Sequence, residues 1–402
     1  MSEWKKVNLG DLIEVKHGFA FKGAFITDEE NKNILVTPGN FHIGGGFKNT
    51  KFKYYNSDDF PSECILNEGD VVVTMTDLSK DSDTLGYSAK IPKIENVNFL
   101  HNQRIGLVQF KSKNADKDFL YWLMRTRDYQ GFIVGSASGT SIMHTSPSRI
   151  KEYEFSLPPL SEQKSIASVL SNLDDKIDLL HRQNTTLEKM AETLFRQWFV
   201  ERCPEPVEGE EKEEWEEKPL SSIANFLNGL ACQKFLPKND IDKLPVLKIK
   251  ELREGFTEKS DWATTDVKPE YIVKNGDVVF AWSASLMVKI WDGQDCILNQ
   301  HLFKVTSDVY PKWFYYLWCK YHLEEFISIA VSHATTMGHI KRRDLDEAIV
   351  LVPSTNKLEE MTLIVEPLID KIIENNKQIR TLTSLRNTLL PKLMSGEVRV
   401  EK

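Results

Sequence analysis

The side chains best suited to chemistry in this chain are hydroxyls, amides and bases gathered in loops, and they come in two sets. The first set is Lys16-His17-Gly18 with Lys22, Thr37-Pro38-Gly39-Asn40, Thr74-Met75-Thr76, Arg104, and Thr140-Ser141 through His144. The second is Gln233-Lys234, Lys248-Ile249-Lys250, Ser283-Ala284-Ser285, His301, and Thr335-Thr336 through His339 with Lys341-Arg342-Arg343. Groups of these types position phosphates and read base edges by hydrogen bonding. Each loop alone is a weak signal, because most polar loops are only solvated. His339–Arg343 is the most basic stretch and the strongest single candidate, although the same residues would also serve as an exposed helix start.

Reaction chemistry has no comparable foothold. There is no Walker A loop and no G-x-G-x-x-G to cradle a nucleotide. The histidines show no metal-ligand spacing; His333 and His339, six apart, fit one helical face poorly. Glu162-x-Lys164 and Glu210-x-Lys212 resemble a nuclease fragment, but one opens a helix and the other lies in an acidic stretch, away from any strand. The Asn-Pro-Pro-aromatic tetrapeptide of amino-methyltransferases is missing. A binding protein without metal, cofactor or catalysis is the simpler reading.

Net charge, −8 over 402 residues, argues against nucleic acid only until it is dissected. Residues 205–217 hold eight glutamates and one lysine, and so carry −7 by themselves. Such a block with Pro and Gly reads as a solvated linker, which leaves the remainder close to neutral. The N-terminus lacks the apolar stretch of a signal peptide, and no apolar run has membrane-spanning length. Five scattered cysteines (Cys64, Cys203, Cys232, Cys296, Cys319) without a C-x-x-C point to a reducing cytoplasm.

The elements that must hold the loops also occur twice. Glu3-Trp4 with Leu9 and Leu12 returns as Glu214-Trp215 with Leu220 and Ile223. Gly69-Asp70-Val71-Val72 returns as Gly276-Asp277-Val278-Val279, Asn102-Gln103 as Asn299-Gln300, and Leu120–Leu123 as Phe314–Leu317. A period of about 200 residues is that of a domain plus spacer, too long for a solenoid unit. Strands are predicted at Ile34–Thr37, Asp70–Thr74 and Arg104–Phe110, then at Pro245–Ile249, Asp277–Ala281 and His301–Val305. Helices are predicted at Asp116–Arg125 and Pro311–Tyr321. The order suggests α+β globes with a mainly antiparallel sheet. Gly-Asp and Asn-Gln pairs read as turn residues, although a polar pair just before a strand could face a ligand.

Each globe leads into a heptad helix. Ile166, Leu170, Leu173, Ile177, Leu180, Asn184, Leu187, Ala191, Leu194 and Trp198 alternate spacings of four and three, a seam of about five heptads. The same spacing returns, shifted by 195 residues, in Met361, Val365, Leu368, Ile372, Asn375, Ile379, Leu382, Arg386, Leu389 and Leu393. Ser161 is the expected cap of the first helix; Pro391 should kink the end of the second, with Gly396 as its stop. A parallel pairing would bury Asn184 against Ile379 and Asn375 against Leu180. An antiparallel one lets Asn184 face Asn375, with Ile166 opposite Leu393 and Trp198 opposite Met361. A polar layer of this kind fixes register, so Asn184 and Asn375 are assigned that structural role. Leu173 then faces Arg386, which would have to snorkel. The alternative is that each helix packs on its own globe or on a partner chain. Antiparallel rods of roughly 60 Å would set two reading heads at a fixed separation.

Several segments together resemble the specificity subunit of type I restriction-modification systems. They are Trp4-Lys5-Lys6-Val7-Asn8-Leu9-Gly10-Asp11-Leu12, the junction Leu157-Pro158-Pro159-Leu160-Ser161-Glu162-Gln163, the helix opening Leu173–Asp178, and the ending Leu389-Leu390-Pro391-Lys392-Leu393-Met394-Ser395-Gly396-Glu397. The second junction, Val352-Pro353-Ser354-Thr355-Asn356-Lys357, departs from that pattern, but the heptads resume on schedule. The resemblance implies target-recognition domains at 1–157 and 215–352, spacer helices at 158–202 and 353–402, and an acidic linker at 203–214. It implies a bipartite, asymmetric double-stranded DNA site, two methyltransferase subunits and two restriction-translocase subunits. S-adenosylmethionine and ATP with Mg would belong to those partners, and the location would be cytoplasmic. The rival readings are a coiled-coil adaptor that binds only proteins, and a nuclease with an unrecognised site.

Overall fold

The computed structural model describes residues 4–77, 79, 82–139, 142–201, 215–332 and 338–400. The acidic linker therefore lies outside the described residues. Two compact units are present: residues 1–176 with 382–402, and residues 177–381.

In the first unit, Lys5–Asn8 pairs antiparallel with Glu154–Leu157 and ties the start of the head to its end. Between them lie two sheets. One is antiparallel, in the order Ile13–His17, Ile105–Phe110, Val71–Thr74, Ser88–Lys90. The other is mixed: Asn33–Val36 runs parallel to Asn98–His101, with short antiparallel neighbours. Parallel strands buried on both faces carry continuous apolar runs. Ile34, Leu35 and Val36 are accordingly all buried.

The second unit repeats this plan. Glu216–Pro219 pairs with Ile349–Val352. Asn225–Asn228, Leu302–Thr306, Val278–Ala281 and Met287–Ile290 form the antiparallel sheet. Lys243–Leu247 lies parallel to Cys296–Leu298 in the mixed one. The strands and helices expected from sequence are all present, with shifts of a residue or two at their ends. Pairing is mainly antiparallel, as expected, but the strands of each globe divide between two main sheets, one of which carries a single parallel ladder. The turn reading of the Gly-Asp pairs also stands: Gly69 and Gly276 have φ of +79° and +89°, and the following Asp70 and Asp277 each accept a backbone N–H from three residues back at 2.8 Å.

The heptad helices are Leu160–Phe199 and Thr355–Ser395. In the first unit, Ile166 and Leu170 share one apolar cluster with Leu390, Leu393 and Met394. In the second unit, Ala191 and Phe195 share another with Met361, Val365 and Ile369. With Asp174 paired to Arg386 in the first unit and Asn184 bonded to Asn375 in the second, the helices run antiparallel within each unit. Each helix also packs on its own globe: Trp122 Nε1 donates to Ser171 Oγ at 3.0 Å and Trp313 Nε1 to Thr362 Oγ1 at 3.0 Å, while the end of the first helix, Phe195 and Phe199, packs edge-on against Trp318 of the second head.

Three local expectations are corrected. The first helix starts at Leu160, with Glu162 N–H donating to the Pro159 carbonyl, so Ser161 lies inside the first turn and does not cap it. The second helix continues through Pro391 to Ser395, where burial of Leu390, Leu393 and Met394 offsets one missing hydrogen bond; Gly396 at φ +77° ends it. Arg386 does not snorkel. Its guanidinium pairs with Asp174, which also accepts from Arg125 Nη1 at 2.7 Å. Burial disfavours the charge on Asp174, but Arg125 and Arg386 outweigh that and hold its carboxyl below the ordinary range.

Candidate nucleic-acid interface

Strand direction decides where the polar loops gather. In the first head, Ile13–His17 and Val71–Thr74 both end where Ile105–Phe110 begins. The parallel pair Asn33–Val36 and Asn98–His101 ends at the same edge, because His101 leads into Asn102-Gln103-Arg104. This rim carries His17, Thr37, Thr76, Gln103, Arg104 and His144. The second head repeats the construction with Asn228, Lys248, Ser283, Gln300, His301 and His339.

Two backbone devices recur in both rims. The first is a clamp. Phe19 N–H donates to the His101 carbonyl and Gln103 N–H to the Phe19 carbonyl, at 2.8 and 2.9 Å. Leu230 N–H donates to the Leu298 carbonyl and Gln300 N–H to the Leu230 carbonyl, each at 2.8 Å. The preceding residue must be glycine: a Cβ on Gly18 would lie 2.2 Å from the Asn102 carbonyl oxygen, and one on Gly229 would lie 2.3 Å from that of Asn299. The second device pairs a small hydroxyl residue with a histidine segment: Thr76 with His144 in a short antiparallel ladder, and Ser283 with His339 in an antiparallel bridge.

The side chains then diverge. Thr76 Oγ1 lies 3.1 Å from His144 Nδ1. Ser283 Oγ lies 3.1 Å from Nδ1 of His301, a different histidine. Trp282 has ring centroids 6.0 and 6.2 Å from His301 and His339, and donates to Asn228 Oδ1 at 3.1 Å. The two rims thus share a backbone frame and differ in the side chains it carries.

The sequence-selected residues separate by exposure. Lys22, Gly39, Arg104, His144, Lys234, Lys250, Ser285, His339, Lys341 and Arg342 are exposed, and His301 is half-buried. Arg342 is partly committed, since Nη2 donates to the Phe226 carbonyl at 3.3 Å, and neighbouring Arg343 pairs with Glu347 at 2.6 Å. Half-buried Lys248 pairs with Asp261. The basic stretch thus presents less free charge than its sequence suggests.

Five candidates are buried or committed to the scaffold. Asn40 is 0% exposed; its Oδ1 accepts from Thr37 N–H at 2.9 Å and Thr37 Oγ1 at 3.0 Å, closing the turn after Val36. Thr37 is half-buried and committed to that turn. Thr74 is 0% exposed and donates to the Thr84 carbonyl at 2.5 Å. Ser283 is buried beneath His301. Thr76, also buried, reaches the rim only through His144. Ser141 and Thr336 lie outside the described residues.

Gln103 and Gln300 read in the sequence as turn residues that could face a ligand and stand outside the site candidates, whereas Trp282 and Asn228 were missed. The repeated Asn-Gln pair was the available signal, and its turn role masked it. For Asn228 and Trp282 the sequence carries none, because only strand pairing brings them to this edge.

Among the described residues, no group of three or more His, Cys, Asp or Glu could hold a metal ion, and no helix is long and apolar enough to cross a membrane.

Residues 1–189 and 212–383 match the family model described as the type I restriction modification DNA specificity domain. The chain belongs to that family. The MjaIX specificity subunit of a type I restriction enzyme from Methanocaldococcus jannaschii is 29% identical over 304 residues, 71% of this chain and 70% of the relative. The MjaVIII specificity subunit of the same organism is 24% identical over 427 residues, 99% of this chain and 94% of the relative. The crystal structure of a type I restriction-modification S subunit from M. genitalium covers 97% of this chain and 96% of its own, with a TM-score of 0.59 and 18% identity, a likeness that establishes the fold. Family membership supports recognition of DNA sequence as the role of this specificity subunit.

Proposed function

We propose that this chain reads a bipartite, asymmetric double-stranded DNA site, one half with each rim, and that its long helices dock two methyltransferase subunits in a complex that also recruits two restriction-translocase subunits. The observation that carries this reading is the duplicated rim: one backbone clamp and one hydroxyl–histidine pairing, built twice, with different exposed side chains. Exposed Leu363, Ile364 and Leu385 on the second helix support docking of protein partners there. The chain contributes no catalysis, and S-adenosylmethionine, ATP and Mg act on the partner subunits in the cytoplasm.

The test is a reconstitution. The purified chain should bind duplex DNA, and transfer of labelled methyl groups should appear only when the methyltransferase subunit is added. Mapping of methylated adenines should return two half-sites with a fixed gap. Methyl transfer by the chain alone, or an added methyltransferase that methylates without sequence preference, would overturn the reading. A coiled-coil adaptor would instead bind the methyltransferase and no DNA.

A further inference from the structure

The Asn-Gln pair has two parts, and only one is used by the fold. Asn102 Oδ1 accepts the Arg104 N–H at 2.9 Å, and the Asn102 carbonyl accepts the Ile105 N–H at 3.0 Å. Asn299 does the same work: Oδ1 accepts the His301 N–H at 3.4 Å, and its carbonyl accepts the Leu302 N–H at 2.9 Å. The asparagine shapes the turn, and the glutamine stands at its tip.

The Gln103 side chain is exposed and has no hydrogen-bond partner among the described residues. Gln300 is half-buried, and its only side-chain neighbour at hydrogen-bond range is the adjacent His301 ring, at 3.4 Å. Many polar residues would suit a turn tip. Yet both copies keep glutamine while its surroundings change: His101 becomes Leu298, Arg104 becomes His301, and Phe19 becomes Leu230. The clamp also fixes the glutamine itself, because its own N–H is the donor to Phe19 or Leu230. A side chain whose root is held in this way loses less freedom on binding.

A terminal carboxamide offers one acceptor and two donors in a plane. That pattern matches adenine, which presents an N7 acceptor and an N6 donor in the major groove. We propose that Gln103 and Gln300 are equivalent specificity-determining residues, each reading an adenine in its own half-site. The two rims would then share one reading element, and their different partners, Arg104 with His144 and Trp282 with His301, would distinguish the remaining bases. This rests on the rim being the DNA interface.

The test uses the full chain with its methyltransferase subunits, selecting duplexes from a pool randomised across both half-sites. Gln103→Ala should relax discrimination at one adenine of the first half-site by roughly tenfold or more and leave the second half-site unchanged; Gln300→Ala should do the converse. Thermal unfolding should be unaltered by Gln103→Ala, since that side chain is exposed. Arg104→Ala and Lys341→Ala are run alongside. If these weaken binding while both glutamine variants keep full discrimination, the rim stands and the glutamine assignment is overturned. A loss at a position other than adenine also overturns it. If none of the four variants changes DNA selection, the rim itself is not the interface and both readings fall.

Discussion

Asn375 Nδ2 donates to Asn184 Oδ1 across 2.9 Å, yet Asn184 gives its own Nδ2 to Asn376 at 2.7 Å and not back to Asn375. Gln183 joins the layer at 3.5 Å, and Asn375 Oδ1 is buried with no hydrogen-bond partner among the described residues. The polar layer is therefore a network of four amides, one acceptor short of full satisfaction.

Such a layer sacrifices stability for register. Asn184→Leu alone should destabilise by about 1–3 kcal/mol, because it strands the buried Asn375 amide. The double variant Asn184→Leu, Asn375→Leu should melt above both the single variant and the wild type, with looser alignment of the helices. Thermal unfolding checks the order, and a cysteine cross-linking ladder along the two helices within 177–381 checks the alignment.

Arg125 should be the costliest single side chain to remove from the first head. Its guanidinium donates to the Gly44 carbonyl at 3.0 Å, the Gly45 carbonyl at 3.2 Å, Tyr121 Oη at 2.7 Å and Asp174, and stacks 4.3 Å from the Trp122 ring centroid. Arg125→Ala should destabilise by about 3 kcal/mol, since it leaves buried acceptors unpaired. Amide exchange at 42–46 should accelerate. Denaturant titration and exchange mass spectrometry read the two effects.

Acid should weaken the first head through Glu14. Hydrogen bonds from Lys111 and Lys151, both at 2.8 Å, hold its carboxyl down from the usual 4.5 to about 2. A depressed folded-state value stabilises the fold above the unfolded value, and that contribution is lost as pH falls from about 4.5 towards 2. Glu14→Gln should remove this part of the acid limb of a plot of melting midpoint against pH. All three side chains are partly exposed, so 1 M salt should shrink the difference.

Lys341→Ala with Arg342→Ala should weaken DNA binding and lower the slope of log affinity against log salt by about 0.9 for each phosphate no longer neutralised. Because Arg342 is already engaged with Phe226, Lys341→Ala alone should account for most of the change. Binding titrations across a salt series decide; an unchanged slope removes both residues from the interface.

The rods and the duplicated plan were legible in the sequence because they repeat: heptads survive any change of neighbour, and a spacing of 195 residues is visible without a structure. Individual rim contacts were less legible. Whether Thr74 is a reader or a scaffold depends on its bond to the Thr84 carbonyl, and whether Asn40 is free depends on Thr37. Both are local folding outcomes that residue type does not encode. Arg386 looked like a flaw in the seam for the same reason, as its partner Asp174 sits beside the seam position Leu173, not on it.

The separation of apolar clusters bears on how such a chain can change over generations. In the first head, Ile34, Val36, Phe41, Leu66 and Phe99 form a cluster with no member from the long helices; in the second, Leu247, Leu252, Val273, Trp291 and Leu298 do likewise. The helices are buried in different clusters, with the other sheet. Apart from polar links such as Arg125, which joins Gly44 and Gly45 to Asp174, the apolar packing of the mixed sheet is separate from that of the helix seam. On the function proposed above, a lineage can acquire a new target by recombination or drift in that compartment while the helix surface proposed to meet partner subunits is inherited largely unchanged.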